Sequence, residues 1–317
     1  MRALIIIISF QLFVLTAKAQ PYVIPRIDVK GLCVEGSYCF VDEYSLFTDA
    51  WDTLSHIKFW RKVISMPSDS GVLNVGSTRE ILSVWSQKDW DKATEDQKKI
   101  YRDSIKCARN FADNERIFFT NGKKEFYDFD GAIPLIDKGT QLFVKEKTDP
   151  FYAQAILLIE SPGRIGKSPV GAMGSFQLMK SVGKQMGLTV NSKVDERKDF
   201  ERSAWASAKL IRTVCIPYAE SILKSHNITY NKTDLWFRLL VLHIYHAGAG
   251  NVKKAVDAVC PSEGGNHIIT HLWNTKAGGF ANASQNYSQI ALATMVELSS
   301  IIERKATNIQ KSQYTID

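Results

Sequence analysis

Apolar residues recur at intervals of three to five between Val41 and Ile64, at Leu46, Trp51, Leu54, Ile57, Trp60 and Ile64, which predicts an amphipathic helix. Pro67-Ser68-Asp69-Ser70-Gly71 breaks it, and a second helical stretch is expected from near Ser77. A third begins at Thr94, with Gln97 placed to complete a capping box, and runs to about Phe111. Ile117 to Thr120 and Glu125 to Tyr127 flank Asn121-Gly122, the strongest hairpin signal in the chain. Beyond this the pattern turns more uniformly helical. Asp149-Pro150 places a capping side chain before a proline at the first helical position, and the segment Phe151 to Glu160 that follows is almost wholly apolar and belongs in a core. Further helices are expected over Ser175 to Met186, Asp199 to about Val214, Thr233 to His246, Asn251 to Val259 and Ser284 to Lys305, with Pro217 ending or kinking the second of these.

The length of 317 residues, with 45% hydrophobic and 23% charged positions, excludes disorder and fibrous repeats and allows two domains. Arg2, the apolar run Leu4 to Leu15 and the small-residue pattern Ala17-Lys18-Ala19 predict a secretory signal peptide cleaved after Ala19. No later segment is long and apolar enough to suggest a membrane span. The formal charge of +7 falls slightly when Arg2 and Lys18 leave with the leader, and the remaining positive balance suits an anionic partner: nucleic acid, a membrane surface or a wall polymer. It does not choose among them. The five cysteines form no CxxC pair and no zinc spacing. Cys33 and Cys39 are expected either to close a small disulfide loop in the exported chain or to remain as buried thiols.

Glu160 is the residue on which chemistry is expected to rest. It ends the run Ala155-Ile156-Leu157-Leu158-Ile159 and precedes Ser161-Pro162-Gly163, so its carboxyl is desolvated and could stay protonated near neutral pH as a general acid. The competing reading is a surface carboxylate that merely terminates a helix. Downstream come Gly171-Ala172-Met173-Gly174-Ser175-Phe176-Gln177-Leu178-Met179, then Val194-Asp195-Glu196-Arg197-Lys198-Asp199, then Tyr245-His246-Ala247-Gly248-Ala249-Gly250, and lastly Asn286-Tyr287.

This ordered set resembles the lytic murein transglycosylases of the soluble-lytic-transglycosylase type, above all their membrane-bound D subgroup. The resemblance spans roughly residues 145–305 and implies a mainly α, lysozyme-like (goose-type) helical catalytic domain there. Outside it, the residue patterns leave a leader over 1–19, a mostly helical N-terminal region over 20–144 with a possible small β-hairpin and no readable role, and a tail over 306–317. The implied substrate is the glycan strand of peptidoglycan, in a bacterial periplasm or cell envelope, with no nucleic acid, metal or organic cofactor. Glu160 is the implied catalytic group. Ser161, Met173, Gln177, Met179, Tyr245, His246 and Tyr287 are the implied substrate-binding residues.

Two departures from the family pattern touch the site: Pro162-Gly163-Arg164 replaces a small-aromatic-Asn segment in a loop one residue shorter, and His246 stands where the family has Asn. A neutral imidazole can donate and accept as an amide does. Its protonation beside Glu160 would favour the carboxylate, so activity is expected to fall on the acidic side near pH 6–7. Two other readings stay open: a goose-type lysozyme-like hydrolase, needing a second carboxylate from Asp195, Glu196 or Asp199, and a wall-binding protein without catalysis. His267 and His271 stand four apart without the intervening Glu of a zinc protease helix.

Overall fold

The computed structural model describes residues 26–27, 38–160 and 166–314. The expected leader, Cys33 of the expected Cys33 to Cys39 loop, and Ser161 lie outside the described residues. Two short strands, β1 (Arg26–Ile27) and β2 (Tyr38–Cys39), pair antiparallel. Where one helix is expected from Val41 to Ile64, the chain instead makes α1 (Ser45–Thr48), a 3-10 turn (Trp51–Thr53) and α2 (Ser55–Ser65). Ala50 in the left-handed region at φ 58° and Leu54 in extended geometry break the helix. The apolar spacing still marks buried positions after the break: Leu46, Trp51, Ile57, Trp60 and Ile64 are all buried, the first four in the main core.

The stretch expected to be helical from Ser77 is a strand. β3 (Ser70–Val75) and β4 (Ile81–Ser86) form an antiparallel hairpin, its turn carrying Arg79 at φ 56°. β-Branched and aromatic Ile81, Val84 and Trp85 fit a pleated surface better than a helix. After α3 (Gln87–Lys92) comes α4 (Glu95–Arg109), which starts with the anticipated capping box: the Thr94 backbone donates to Gln97 Oε1 at 2.8 Å, and Gln97 N to Thr94 Oγ1 at 3.2 Å.

β5 (Ile117–Asn121) then pairs with β3, from Gly71 opposite Asn121 to Val75 opposite Ile117, giving the order β4-β3-β5. The hairpin expected at Asn121-Gly122 does not form, and residues 124–126 make a turn. Gly122 serves close approach instead: a Cβ there would lie 2.2 Å from the carbonyl oxygens of Met66 and Pro67.

The remaining helices enclose α6 (Pro150–Glu160), in which every residue from Pro150 to Ile159 is buried. α5 (Phe129–Lys145), begun by Asp128 accepting from Gly131 N at 3.0 Å, lies along it. No pattern argument anticipated α5, whose Pro134 and two glycines argue against a helix. α7 (Lys180–Met186) is shorter than expected, residues 175–178 forming a turn and bridge. α8 (Phe200–Leu210) passes through a π-helical turn (Ile211–Cys215) straight into α9 (Ile216–Ser225). Pro217 therefore does not end the helix; it lies in the first turn of α9, directly after the π-helical turn, where the regular bonding pattern is already interrupted. α10 (Leu235–Ala247), α11 (Ala249–Val259), α12 (Asn266–Leu272) and α13 (Ala283–Tyr314) complete the chain, with α10 and α13 packed on α6.

The main hydrophobic core runs from Phe40 through Trp51, Trp60 and Val72 to α6, α10 and α13, so the N-terminal region shares it with the helical half, while Leu73, Trp90 and Ile117 form a separate small cluster. Polar ties hold the same seam. Gln154 of α6 bonds both backbone groups of Val41 at 3.0 Å, and Trp60 Nε1 donates to Gln289 Oε1 at 3.0 Å. Arg238 of α10, nearly inaccessible, meets the carboxylate of Glu43 in the N-terminal region and that of Asp149 at 2.8 Å, just before α6. Removing one member of a buried ion cluster strands the others without solvent. Arg238→Leu is expected to lower unfolding free energy by about 3–5 kcal/mol in urea titrations. A loss below about 1 kcal/mol would show that the seam does not depend on this cluster.

Candidate active site

Glu160 is delivered by α6. Because that helix is apolar on all sides and packed on all sides, its last residue has its carboxyl at the edge of the core rather than in open water. Burial pushes the Glu160 carboxyl up to about 7, against the opposing effect of a hydrogen bond from the Tyr287 hydroxyl to Oε1 at 2.9 Å. Tyr287 stands in α13, and the His246 ring, near the end of α10, stacks on it with centroids 4.3 Å apart and planes 22° from parallel. Three helices thus converge on one carboxyl. Tyr127, buried just ahead of α5, is close enough for the Glu160 charge to add to the burial that raises its own hydroxyl pKa.

Glu160, His246 and Tyr287 open onto a cavity of about 550 Å³. Its other wall comes from the N-terminal region: Phe59 and Trp60 of α2, Arg79 of the β3-β4 turn, Phe118 and Phe119 of β5, and Lys123. Aromatic faces beside polar groups suit sugar rings, whose faces are apolar and whose edges carry hydroxyls. Sequence reasoning missed this entire wall. The signal available, aromatic pairs at Phe59-Trp60 and Phe118-Phe119, does not separate core from groove without the fold.

The remaining residues expected at the site stand elsewhere or are otherwise engaged. Gln177, in the left-handed region at φ 45°, donates its amide hydrogens to the carbonyls of Gly166 at 2.9 Å and Gly174 at 2.8 Å. Both donors expected to face substrate therefore brace their own loop. Tyr245 is likewise spent internally: its hydroxyl donates to the Phe176 carbonyl at 2.6 Å and lies 3.2 Å from Ser207 Oγ. Met173 bridges Lys167 and Leu178, and Met179 is exposed before α7; neither lines the Glu160 cavity. Gly174, expected to let a polymer approach, instead makes room for Arg197, whose carbonyl oxygen would lie 1.9 Å from a Cβ.

The carboxylates of the downstream acidic segment are engaged too. Asp195 pairs with buried Arg197 at 2.7 Å, and that guanidinium also holds the carbonyls of Gly171 and Leu178. Glu196 accepts from Thr189 N and pairs with Arg202, while Asp199 caps α8. Among the described residues lining the cavity, Glu160 is the sole carboxylic acid. Burial also holds the His246 pKa below its ordinary value, so the ring stays neutral to lower pH than the 6–7 range expected from sequence.

Comparison with known proteins finds a match to one family model within the helical half of the chain. Residues 141–266 match the family model for the transglycosylase SLT domain, which is less than half of the chain but includes Glu160, Tyr245 and His246. The helical arrangement around α6 is the lysozyme-like fold of that family. A search of curated proteins returned no match.

The raised pKa has a consequence for stability. A buried acid that prefers its neutral form contributes most below the unfolded-chain value near 4.5, and that contribution is lost as pH rises through about 7. Glu160→Gln cannot ionise. Its unfolding free energy is expected to exceed that of the parent by on the order of 2 kcal/mol at pH 8, with the difference vanishing towards pH 4, in parallel urea titrations. A difference independent of pH would place the carboxyl in a hydrated setting.

Proposed function

We propose that the chain is a peptidoglycan lytic transglycosylase that cleaves the β-1,4 bond between N-acetylmuramic acid and N-acetylglucosamine without water as nucleophile. The observation that carries this reading is a single buried carboxyl, poised near neutral pKa, in a cavity where no second carboxylate lines the described walls. In its neutral form Glu160 gives its proton to the glycosidic oxygen as the C1–O bond breaks, and the N-acetylglucosamine side leaves with a free hydroxyl. The substrate's own acetamide oxygen supports the positive C1. The Glu160 carboxylate, held by the Tyr287 hydroxyl, then takes the proton of the C6 hydroxyl as O6 bonds to C1. The product is a 1,6-anhydro sugar, and Glu160 is again protonated.

One residue acts in turn as acid and base, so a pKa near 7 serves both steps. Direct hydrolysis requires a second carboxylate to activate water, at a defined separation from the first. Asp195, Glu196 and Asp199 are bound up with Arg197, Arg202 and the start of α8, which weighs against the goose-type reading. His246 acts as a positioning residue, its neutral ring holding the Tyr287 ring in register with the carboxyl.

We assign catalysis to residues 145–305, closest in motif to the membrane-bound D subgroup, and place the protein in the cell envelope after export. Among the described residues no helix is long and apolar enough to cross a membrane.

Glu160→Gln is expected to lower release of soluble muropeptides from purified sacculi by about 10²–10⁴-fold while circular dichroism is unchanged. Near-normal release would sink the mechanism. In the parent, activity should decline above about pH 7 as Glu160 ionises, and Tyr287→Phe, which removes a bond to the carboxylate form, should move that decline to higher pH. Mass spectrometry of the products decides the reaction type: anhydro ends support transglycosylation, and ends heavier by one water identify a hydrolase.

A further inference from the structure

A second cavity, of about 480 Å³, adjoins the first and shares Arg79, Phe118, Asn282 and Asn286 with it. Arg79, Arg116 and Lys276 line it, from the β3-β4 turn, the residue before β5 and the loop after α12, and no carboxylate does so among the described residues. Among the described residues none of the three forms an ion pair, although exposed cations elsewhere on this chain commonly do. Arg79 is half-buried between the rings of Phe59 and Phe118, 5.3 and 5.9 Å from their centroids. Among the described residues its side-chain hydrogen bonds go to neutral amide oxygens, those of Asn74 at 3.2 Å and Asn286 at 3.1 Å. His56 adds no negative charge; burial foremost, with the Arg79 charge also acting, lowers its pKa to about 4. Three like charges facing one cavity repel one another, and an anionic ligand is what turns that arrangement favourable.

We propose that this second cavity is a subsite for carboxylates carried on the C3 side chain of the muramyl sugar. The inference rests on the reading of the first cavity as the glycan site. With the scissile bond at Glu160, the lactyl ether leaves the edge of the sugar ring, and the shared wall of Arg79 and Asn286 gives it passage. That group ends either in the lactyl carboxylate itself or, where a peptide is attached, in the free carboxylates of the peptide. A guanidinium offers such groups a planar fork of donors, while Arg116 and Lys276 supply charge at the exposed mouth. The N-terminal region then selects which strands are cut.

The test reads binding without turnover. The full chain carrying Glu160→Gln is titrated calorimetrically with three tetrasaccharides: one bearing peptides, the same strand stripped by an amidase to its lactyl carboxylates, and neutral chitotetraose. The peptide-bearing strand is expected to bind at least about ten-fold more tightly than chitotetraose, a preference that shrinks as salt rises. Adding Arg116→Gln and Lys276→Gln, both at exposed positions without ion pairs among the described residues, should reduce the preference to within about two-fold, with thermal unfolding confirming the fold. A stripped strand that matches the peptide-bearing one puts the lactyl carboxylate in the cavity; one that matches chitotetraose puts the peptide there. No preference, or a preference that survives the double substitution, overturns the proposal. The two readings fail separately: selective binding with intact sacculi refutes the reaction alone, and anhydro products without selectivity refute the subsite alone.

Discussion

Everything in this molecule depends on burying α6. A helix that is apolar around its full circumference cannot face water on any side, so α5, α10 and α13 must close around it and the N-terminal region must cover the seam that remains. The same burial determines the chemistry of the residue at its end. A carboxyl at the margin of such a packed helix loses hydration, and its charged form loses more than its neutral form does. Tyr287 returns part of that stabilisation through one hydrogen bond, leaving Glu160 balanced between protonation states near neutral pH.

The N-terminal region is bound into this arrangement by polar groups as well as by apolar contact. Gln154 reads the backbone of Val41 from within the core, and Arg238 gathers one carboxylate from each side of the seam. Buried polar groups of this kind are costly when mispaired, so they specify one registration between the two parts where apolar contact alone tolerates slippage. That registration carries β5 and the β3-β4 turn to the cavity beside Glu160. One wall of the cavity is therefore built by residues that in several cases lie more than forty positions before α6, and the aromatic and cationic character of that wall differs from the carboxyl side.

The loop around Gly171 to Leu178 illustrates how similar residues can serve support in place of contact. Gln177, Gly174 and Arg197 form a connected set of hydrogen bonds and close approaches: the Gln177 amide and Arg197 Nη1 donate to backbone carbonyls of the loop, and the rest of the Arg197 fork is held by Asp195. Such a loop is rigid at the cost of presenting few free polar groups to a ligand.

The sequence alone determined the parts whose physical cause is local. The capping box at Thr94, the proline start of α6, the buried nature of Phe151 to Ile159 and the unusual setting of Glu160 follow from spacing and composition within a dozen residues. Tyr287 and His246 were legible through resemblance, not through any local signal. Local reasoning failed where neighbours distant in the chain decide. Ile81 to Ser86 is a strand because β3 is there to pair with it, and Gly122 admits two carbonyl groups where a hairpin turn was expected. Gln177 and Tyr245 have the right chemistry to bind sugar, yet backbone carbonyls reached only in the folded chain satisfy them first. Only the tertiary structure could place Arg79, Phe118 and Trp60 beside Glu160, because a groove wall is defined by which side chains the packing leaves uncovered, and no periodicity in one segment records what another segment will cover.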